Sequence, residues 1–215
     1  MKKQNKKYPL FNPEKFHDAC GVGFVATKNG KPDPKVLPSA LSALQRLTHR
    51  GAKAYDGNSG DGSGILVDIP RKFFDNYLLK KHSLKISKNE TLAIASIFAK
   101  GINDKTIVNS FLDLTKKEKI QFLSLRKVPI DKNVLGDLSK ECKPKILQLI
   151  FSTKIKDSSK LERKLYLIRK KIEKKLCQRY KRFYICSFSS KTIIYKGLLS
   201  SDQLAKFYKD LNHDL

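Results

Sequence analysis

Cys20-Gly21-Val22-Gly23-Phe24-Val25-Ala26 stands directly behind a short, polar, Lys-rich leader, and it has two readings. In the first, Cys20 is a small buried residue in a Gly-rich strand, a common fate for free cysteine. In the second, the chain is cut before Cys20, so that a thiol and a free α-amine share one residue. Among protein aliphatic amines only the α-amine titrates near neutrality, at about 7.7–8.0 against about 10.4 for Lys. Such a cysteine carries its own general base.

On the upstream side, residues 1–19 are polar, contain Pro9 and Pro13, and predict an unstructured leader. They lack the apolar core of a secretory signal, which also argues against a lipid-anchored Cys20. Downstream, Gly21 to Thr27 alternates small and apolar residues and predicts a first strand, closed at Asn29-Gly30 by a tight turn with positive φ at both central positions. Leu37, Ala40, Leu41, Leu44 and Leu47 recur at helical spacing and lead into Thr48-His49-Arg50-Gly51. Gly57 to Gly64 is too Gly-rich for a regular element and opens into a strand at Ile65–Ile69.

Beyond this, Phe73, Phe74, Tyr77 and Leu78 predict a short helix, and Thr91–Ala99 a largely buried strand. A helix through Ile107, Val108, Phe111 and Leu114 precedes a strand at Gln121–Pro129, and Lys145–Thr153 is another apolar, strand-length run. Leu161, Leu165, Ile168, Ile172 and Leu176 mark an amphipathic helix whose other face is Lys and Arg. Phe183–Phe188 and Thr192–Tyr195 flank Ser189-Ser190-Lys191 and predict a hairpin; Ser200 with Gln203 fits a capping box opening a helix through Tyr208. The expected class is α+β with antiparallel strands.

The formal net charge of +25 raises the alternative of a basic nucleic-acid-binding or non-catalytic interaction protein. The excess is mostly Lys, spread along the chain on polar helical positions as a solvated face would be, and no binding motif accompanies it, so nucleic acid is not the expected partner. Cys20, Cys142, Cys177 and Cys186 form no CxxC pair and no His lies at metal-ligand spacing, so no metal is indicated. No run approaches the about 18 apolar residues of a membrane span. A soluble, cytoplasmic protein is expected.

Three segments, Cys20-Gly21-Val22-Gly23-Phe24, Leu47-Thr48-His49-Arg50-Gly51-Ala52 and Gly60-Asp61-Gly62-Ser63-Gly64-Ile65, in this order and at these separations closely resemble the amino-terminal glutamine amidotransferase domain of glutamate synthase large subunits. The stretches Leu161 to Lys170, Phe183 to Ser187 and Tyr195-Lys196-Gly197 extend the resemblance from about Phe16 to the end. It implies a class II amidotransferase with the four-layer αββα sandwich of N-terminal nucleophile hydrolases, here incomplete. Residues 1–19 would be a pro-segment, removed by cleavage between Ala19 and Cys20, and residues 20–215 the N-terminal portion of the domain. Cys20 would be the nucleophile, with Arg50, Gly51 and Gly62 supporting it and His49 structural. The implied substrate is L-glutamine, and the implied product is ammonia for 2-oxoglutarate amination in glutamate biosynthesis. The complete enzyme would add further domains with FMN and an iron-sulfur cluster, and possible small-subunit or ferredoxin partners; no cofactor is expected in this segment. The family's Asn-Gly oxyanion pair, Arg-Phe-Ser-Thr motif and later Asp have no counterpart here: Asn29-Gly30 reads as a turn, and Arg182-Phe183 is followed by Tyr184. The chain is therefore expected to have little glutaminase activity alone.

Overall fold

The two longest apolar runs form the centre of the molecule. In the computed structural model, which describes residues 20–212, Thr91–Ala99 (β2) and Lys145–Thr153 (β4) pair antiparallel along their full length. Both are apolar on two faces because both faces are covered. Phe183–Ser189 (β5) flanks β2 and Gln121–Lys127 (β3) flanks β4, giving the antiparallel order β3-β4-β2-β5. Each outer pairing is interrupted: Leu123 and Cys186 have no partner across the ladder, so both outer strands bulge there.

One face of this sheet, with Ala93, Ala95, Ile97, Leu147, Leu149 and Phe151, packs on Asp104–Lys117 (α3) and Ser158–Cys177 (α5). The helical period expected of α5 is met: Leu161, Leu165, Ile168, Ile172 and Leu176 are all buried, each stabilising by about 1.5–3 kcal/mol. Both helices start on side-chain caps, Asn103 accepting from Thr106 N (2.7 Å) and Asp157 from Lys160 N (2.9 Å). Phe111, Phe151 and Phe188 meet here with ring centroids 5.2–5.9 Å apart.

The opposite face, through Leu92, Ile94 and Ile150, meets a second core. That core is built by a two-stranded antiparallel sheet, Ser63–Asp68 (β1) with Thr192–Gly197 (β6), by Arg71–His82 (α2), and by Leu204–Phe207 (α6). Val36–Arg46 (α1) lies against β1 with Leu37, Leu41 and Leu44 half-buried and no residue fully buried. A short helix, Asp137–Cys142 (α4), follows the loop after β3. The architecture is mixed α and β with antiparallel sheets.

Four expectations are corrected. Gly21–Thr27 forms no strand: Val22 and Phe24 are 91% and 94% exposed, and no described strand lies beside the segment to supply a ladder. At the following turn only Gly30 takes positive φ (65°), while Asn29 Oδ1 accepts from Lys31 N (3.1 Å). β5 and β6 are not a hairpin, because β5 pairs with β2 and β6 with β1, so the chain crosses between sheets at Ser189-Ser190-Lys191. Glu162 of α5 holds this crossing, accepting from Ser189 Oγ (2.9 Å), Ser190 N (2.7 Å) and Ser190 Oγ (2.6 Å). The capping box is half realised: Gln203 Oε1 accepts from Ser200 N (2.9 Å), but Ser200 Oγ donates to Asp202 instead.

Between the sheet and the second core lies a buried ion pair. Arg126 of β3 donates to both carboxylate oxygens of Asp210 (2.7 and 2.6 Å) and to Gln148 Oε1 (2.8 Å), and the Tyr195 hydroxyl donates to Asp210 (3.1 Å). The guanidinium also lies 5.0 and 5.3 Å from the ring centres of Phe73 and Tyr77 on α2. Burial, with Asp210 alongside, pushes the Tyr195 hydroxyl above its ordinary range. The last turn of the described chain is thereby fastened to the central sheet.

Candidate active site around Cys20

The three segments singled out in the sequence come from separate elements: the extended stretch at Cys20, the turn that ends α1, and the loop that enters β1. Local chemistry shapes each. After α1 the chain tightens into one 3₁₀ turn, Thr48–Arg50, in which the Thr48 hydroxyl donates to Gln45 O (2.5 Å). His49 Nδ1 donates to Arg46 O (3.0 Å), so the imidazole serves the end of α1. Arg50, the other candidate for capping those carbonyls, donates its backbone N–H to Leu47 O (2.8 Å), while its guanidinium makes no hydrogen bond among the described residues.

From Ala52 to Asp61 the chain doubles back on itself, with Ala54 N donating to Ser59 O (2.8 Å) and Asp61 N to Ala52 O (3.1 Å). At Gly62 φ is +144°, a region L side chains rarely adopt, while a Cβ there would meet nothing nearer than 3.8 Å. Glycine is required at this position by conformation rather than by space.

These segments converge on one cavity of about 930 Å³, lined by Cys20, Arg50, Gly51 and Gly62 among others. The convergence is close: a Cβ on Gly21 would lie 3.3 Å from Leu47 Cδ1 and 3.5 Å from Arg50 Cγ, so the residue after Cys20 rests on the Arg50 stem. A Cβ on Gly51 would lie 3.4 Å from Asp61 Oδ1, which places the Arg50 turn against the Gly60–Gly64 loop. Cys20 itself is exposed, which removes the buried-strand reading. The structure thus brings Cys20, Arg50, Gly51 and Gly62 together; His49 and Asn29-Gly30 do not line the cavity. Ala19, the other side of the expected cleavage, lies outside the described residues.

Sequence reasoning missed three charged lining residues, Lys53, Asp61 and Lys196. Asp61 sits inside a motif whose glycines drew the attention. Lys196 was legible from strand alternation: Ile193 and Tyr195 of β6 are buried in the second core, so Ile194 and Lys196 face the cavity. Its ammonium donates to the Tyr184 hydroxyl (3.0 Å) and stands 4.5 Å from that ring's centre. Among the described residues no group of three or more His, Cys, Asp or Glu is placed to hold a metal ion, and no helix is long and apolar enough to cross a membrane.

The extended arm thus presents an exposed cysteine to a cavity bordered by two Gly-bearing turns. The family described as glutamine amidotransferases class-II matches residues 20–215, beginning at Cys20. The chain belongs to this family.

Within it, the chain is similar to glutamate synthases. It is 41% identical to the ferredoxin-dependent glutamate synthase of Antithamnion sp., over 97% of this chain and 14% of that protein. It is 37% identical to the glutamate synthase [NADPH] large chain of Azospirillum brasilense, over 94% of this chain and 14% of the relative. Identity to the corresponding Bacillus subtilis large chain is 34%, over 97% and 14%. The chain therefore spans a small part of the length of these relatives.

Proposed function

We propose that this chain is the glutamine-hydrolysing part of a glutamate synthase, with Cys20 as nucleophile after removal of residues 1–19. The observation that carries the reading is the convergence of Cys20, Arg50, Gly51 and Gly62 on one cavity in a chain whose family match begins at Cys20.

The chemistry balances within this chain and one water. The freed α-amine of Cys20 takes the thiol proton, directly or through water, and the thiolate attacks the side-chain carboxamide carbon of L-glutamine. The tetrahedral intermediate collapses by breaking the C–N bond, and ammonia leaves with the proton returned by the amine. Water then hydrolyses the γ-glutamyl thioester, giving glutamate and restoring the thiol. Arg50 positions the Cys20 arm through its stem, and the Gly62 loop forms one wall.

In the complete enzyme the ammonia would aminate 2-oxoglutarate in other domains. FMN and an iron-sulfur cluster would be held there, with ferredoxin or a small subunit as electron-delivering partner. The chain's four cysteines are free, as they stay in the reducing, cytoplasmic setting proposed for it. The stacking of α3 and α5, the four-stranded sheet, the β1–β6 pair and α1 supports a four-layer αββα sandwich whose second sheet has only two strands among the described residues.

Mass spectrometry of the purified protein tests the reading. The expected result is a mature N-terminus at Cys20 and, because the family's Asn-Gly oxyanion pair and Arg-Phe-Ser-Thr motif have no counterpart in this chain, little glutamine turnover by the chain on its own. A mature protein that still begins at Met1, with Cys20 left without its base, overturns the reading, and family-like turnover by the isolated chain overturns the expectation of low activity.

A further inference from the structure

The two ends of the Ala52–Asp61 loop, at Ala52, Lys53 and Asp61, line the Cys20 cavity, and its tip is fastened to a helix about 80 residues later. Asp56 is the fastening. Its Oδ1 accepts from Asn58 N (3.0 Å) and Ser59 N (2.7 Å), and its Oδ2 accepts from Ser59 Oγ (2.6 Å) and Leu138 N (3.2 Å). Ser59 Oγ in turn accepts from Ser139 N (3.1 Å). Leu138 and Ser139 are the second and third residues of α4, whose N-cap, Gly136, has no side chain to offer. The loop therefore caps α4 from outside, using the donors an N-cap side chain ordinarily serves.

The fit leaves no slack. A Cβ on Gly136 would stand 2.5 Å from Ser59 N and Oγ and 2.7 Å from Asp56 Oδ2. A Cβ on Gly60 would stand 2.3 Å from Leu199 C and Ser200 N. Gln203 Nε2 bridges Asn58 O (2.9 Å) and Val134 O (2.7 Å), and Ser139 Oγ donates to Leu198 O (2.7 Å). Ser59 and Gly60 are buried, although the loop on either side of them is mostly exposed.

We infer that Asp56 is a positioning residue for the glutaminase site: its carboxylate, through Ser59 and the start of α4, sets where the Gly60–Gly64 wall stands relative to Cys20. The inference rests on the glutaminase reading for its function and on this geometry for its mechanism. Four donors on one carboxylate need the ionised form, and the hydrogen bonds from Ser59 hold this carboxyl well below the usual carboxylate range. An amide at this place presents its NH₂ group to donors on one side and leaves them unpaired. Misplacement of a site wall by about 1 Å costs up to about 100-fold in rate.

The test uses Asp56→Asn and, as a variant that alters no charge, Gly136→Ala, whose φ of −70° suits alanine and whose effect is purely steric. Hydrogen exchange is read at Ala54, Ser59, Asp61, Leu138 and Ser139 against β2 and β4 as internal controls. In the complete synthase carrying this chain, Cys20 is labelled in parallel with iodoacetamide and with a glutamine analogue bearing a diazomethyl ketone in place of the amide. Both variants are expected to speed exchange at the named amides at least tenfold with the controls unchanged. The analogue's labelling should fall at least tenfold while iodoacetamide labelling stays within twofold, a split that general destabilisation does not produce. Unchanged exchange at Leu138 and Ser139, or equal losses with both reagents, overturns the inference. A complete wild-type synthase that the analogue never labels saturably refutes the glutaminase reading instead, and the exchange comparison still decides whether Asp56 sets the wall.

Discussion

Removing one partner of the Arg126–Asp210 pair should cost far more than removing both. The side chains are 6% and 1% exposed, so neither charge reaches water when its partner is lost. In Arg126→Met the Asp210 carboxylate loses both guanidinium bonds and keeps, among the described residues, only the Tyr195 hydroxyl, and Gln148 Oε1 loses its donor. Breaking a buried pair in this way costs about 3–5 kcal/mol. For a chain of this size about 2–4 °C is lost per kcal/mol, so Tm should drop by about 6–20 °C. Asp210→Leu should cost a similar amount. The double variant, with apolar groups of comparable volume, should recover most of the loss, because the price of each single variant is the stranded charge. Urea unfolding of all four proteins gives the coupling energy, expected at about 2 kcal/mol or more. Single variants that cost under about 1 kcal/mol, or a double variant whose loss equals the sum, would refute the claim that desolvated charge governs this site.

The other predictions concern single side chains. Gly62→Ala should destabilise by about 1–3 kcal/mol through its +144° φ, read as a lower urea midpoint with unchanged slope. Glu162→Ala removes three bonds to the crossing turn at 2.6–2.9 Å and should cost about 1–3 kcal/mol, with faster hydrogen exchange at Ser190 to Thr192. Burial pushes the Cys186 thiol up to about 12 from 9.0, so at pH 8.5 a thiol reagent should label Cys20, Cys142 and Cys177 and spare Cys186 until denaturant is added. The sign of the linked stability follows: the unfolded thiol loses its proton first, so the stabilisation is complete below pH 9, declines as pH rises and is gone above about 12. Cys186→Ala should flatten that alkaline decline in a pH series of urea midpoints.

Much of the fold was legible because its signals are local. The runs Thr91–Ala99 and Lys145–Thr153 are β2 and β4 to the residue, and the five apolar positions expected on α5 are its five buried ones. The site segments were legible too, as Gly-rich turns flanking a cysteine. What escaped depends on partners distant in sequence. Alternation at Gly21–Thr27 is a pattern suited to a strand, but a strand exists only beside another, and the described residues put none there. Ser189-Ser190-Lys191 has the composition of a hairpin turn; Glu162 converts it into a crossing between sheets, and no periodicity encodes that. Arg126 and Asp210 lie 84 positions apart, and α4 owes its cap to a carboxylate 82 positions before Leu138.

The same division explains how the site is supported. Its own elements are weakly buried: α1 has no fully buried residue, Cys20 to Ala26 is exposed, and β1 pairs with β6 alone among the described strands. Such elements hold a geometry only through ties to something stiffer. The ties run by way of polar groups to the central sheet and its flanks. Thr48 Oγ1 lies 2.6 Å from Ser201 Oγ, Ser63 donates to Ser200 O (3.2 Å), and Asp56 and Ser59 hold α4. Residues 198–203 receive several of these bonds and lead directly into α6 and the turn that Asp210 fastens to Arg126. The buried ion pair therefore stands at the far end of the chain of contacts that begins at Cys20. Loss of that pair should loosen residues 198–203, and with them the cavity wall, before β2 and β4 give way, since the helix-covered core contains none of the groups involved.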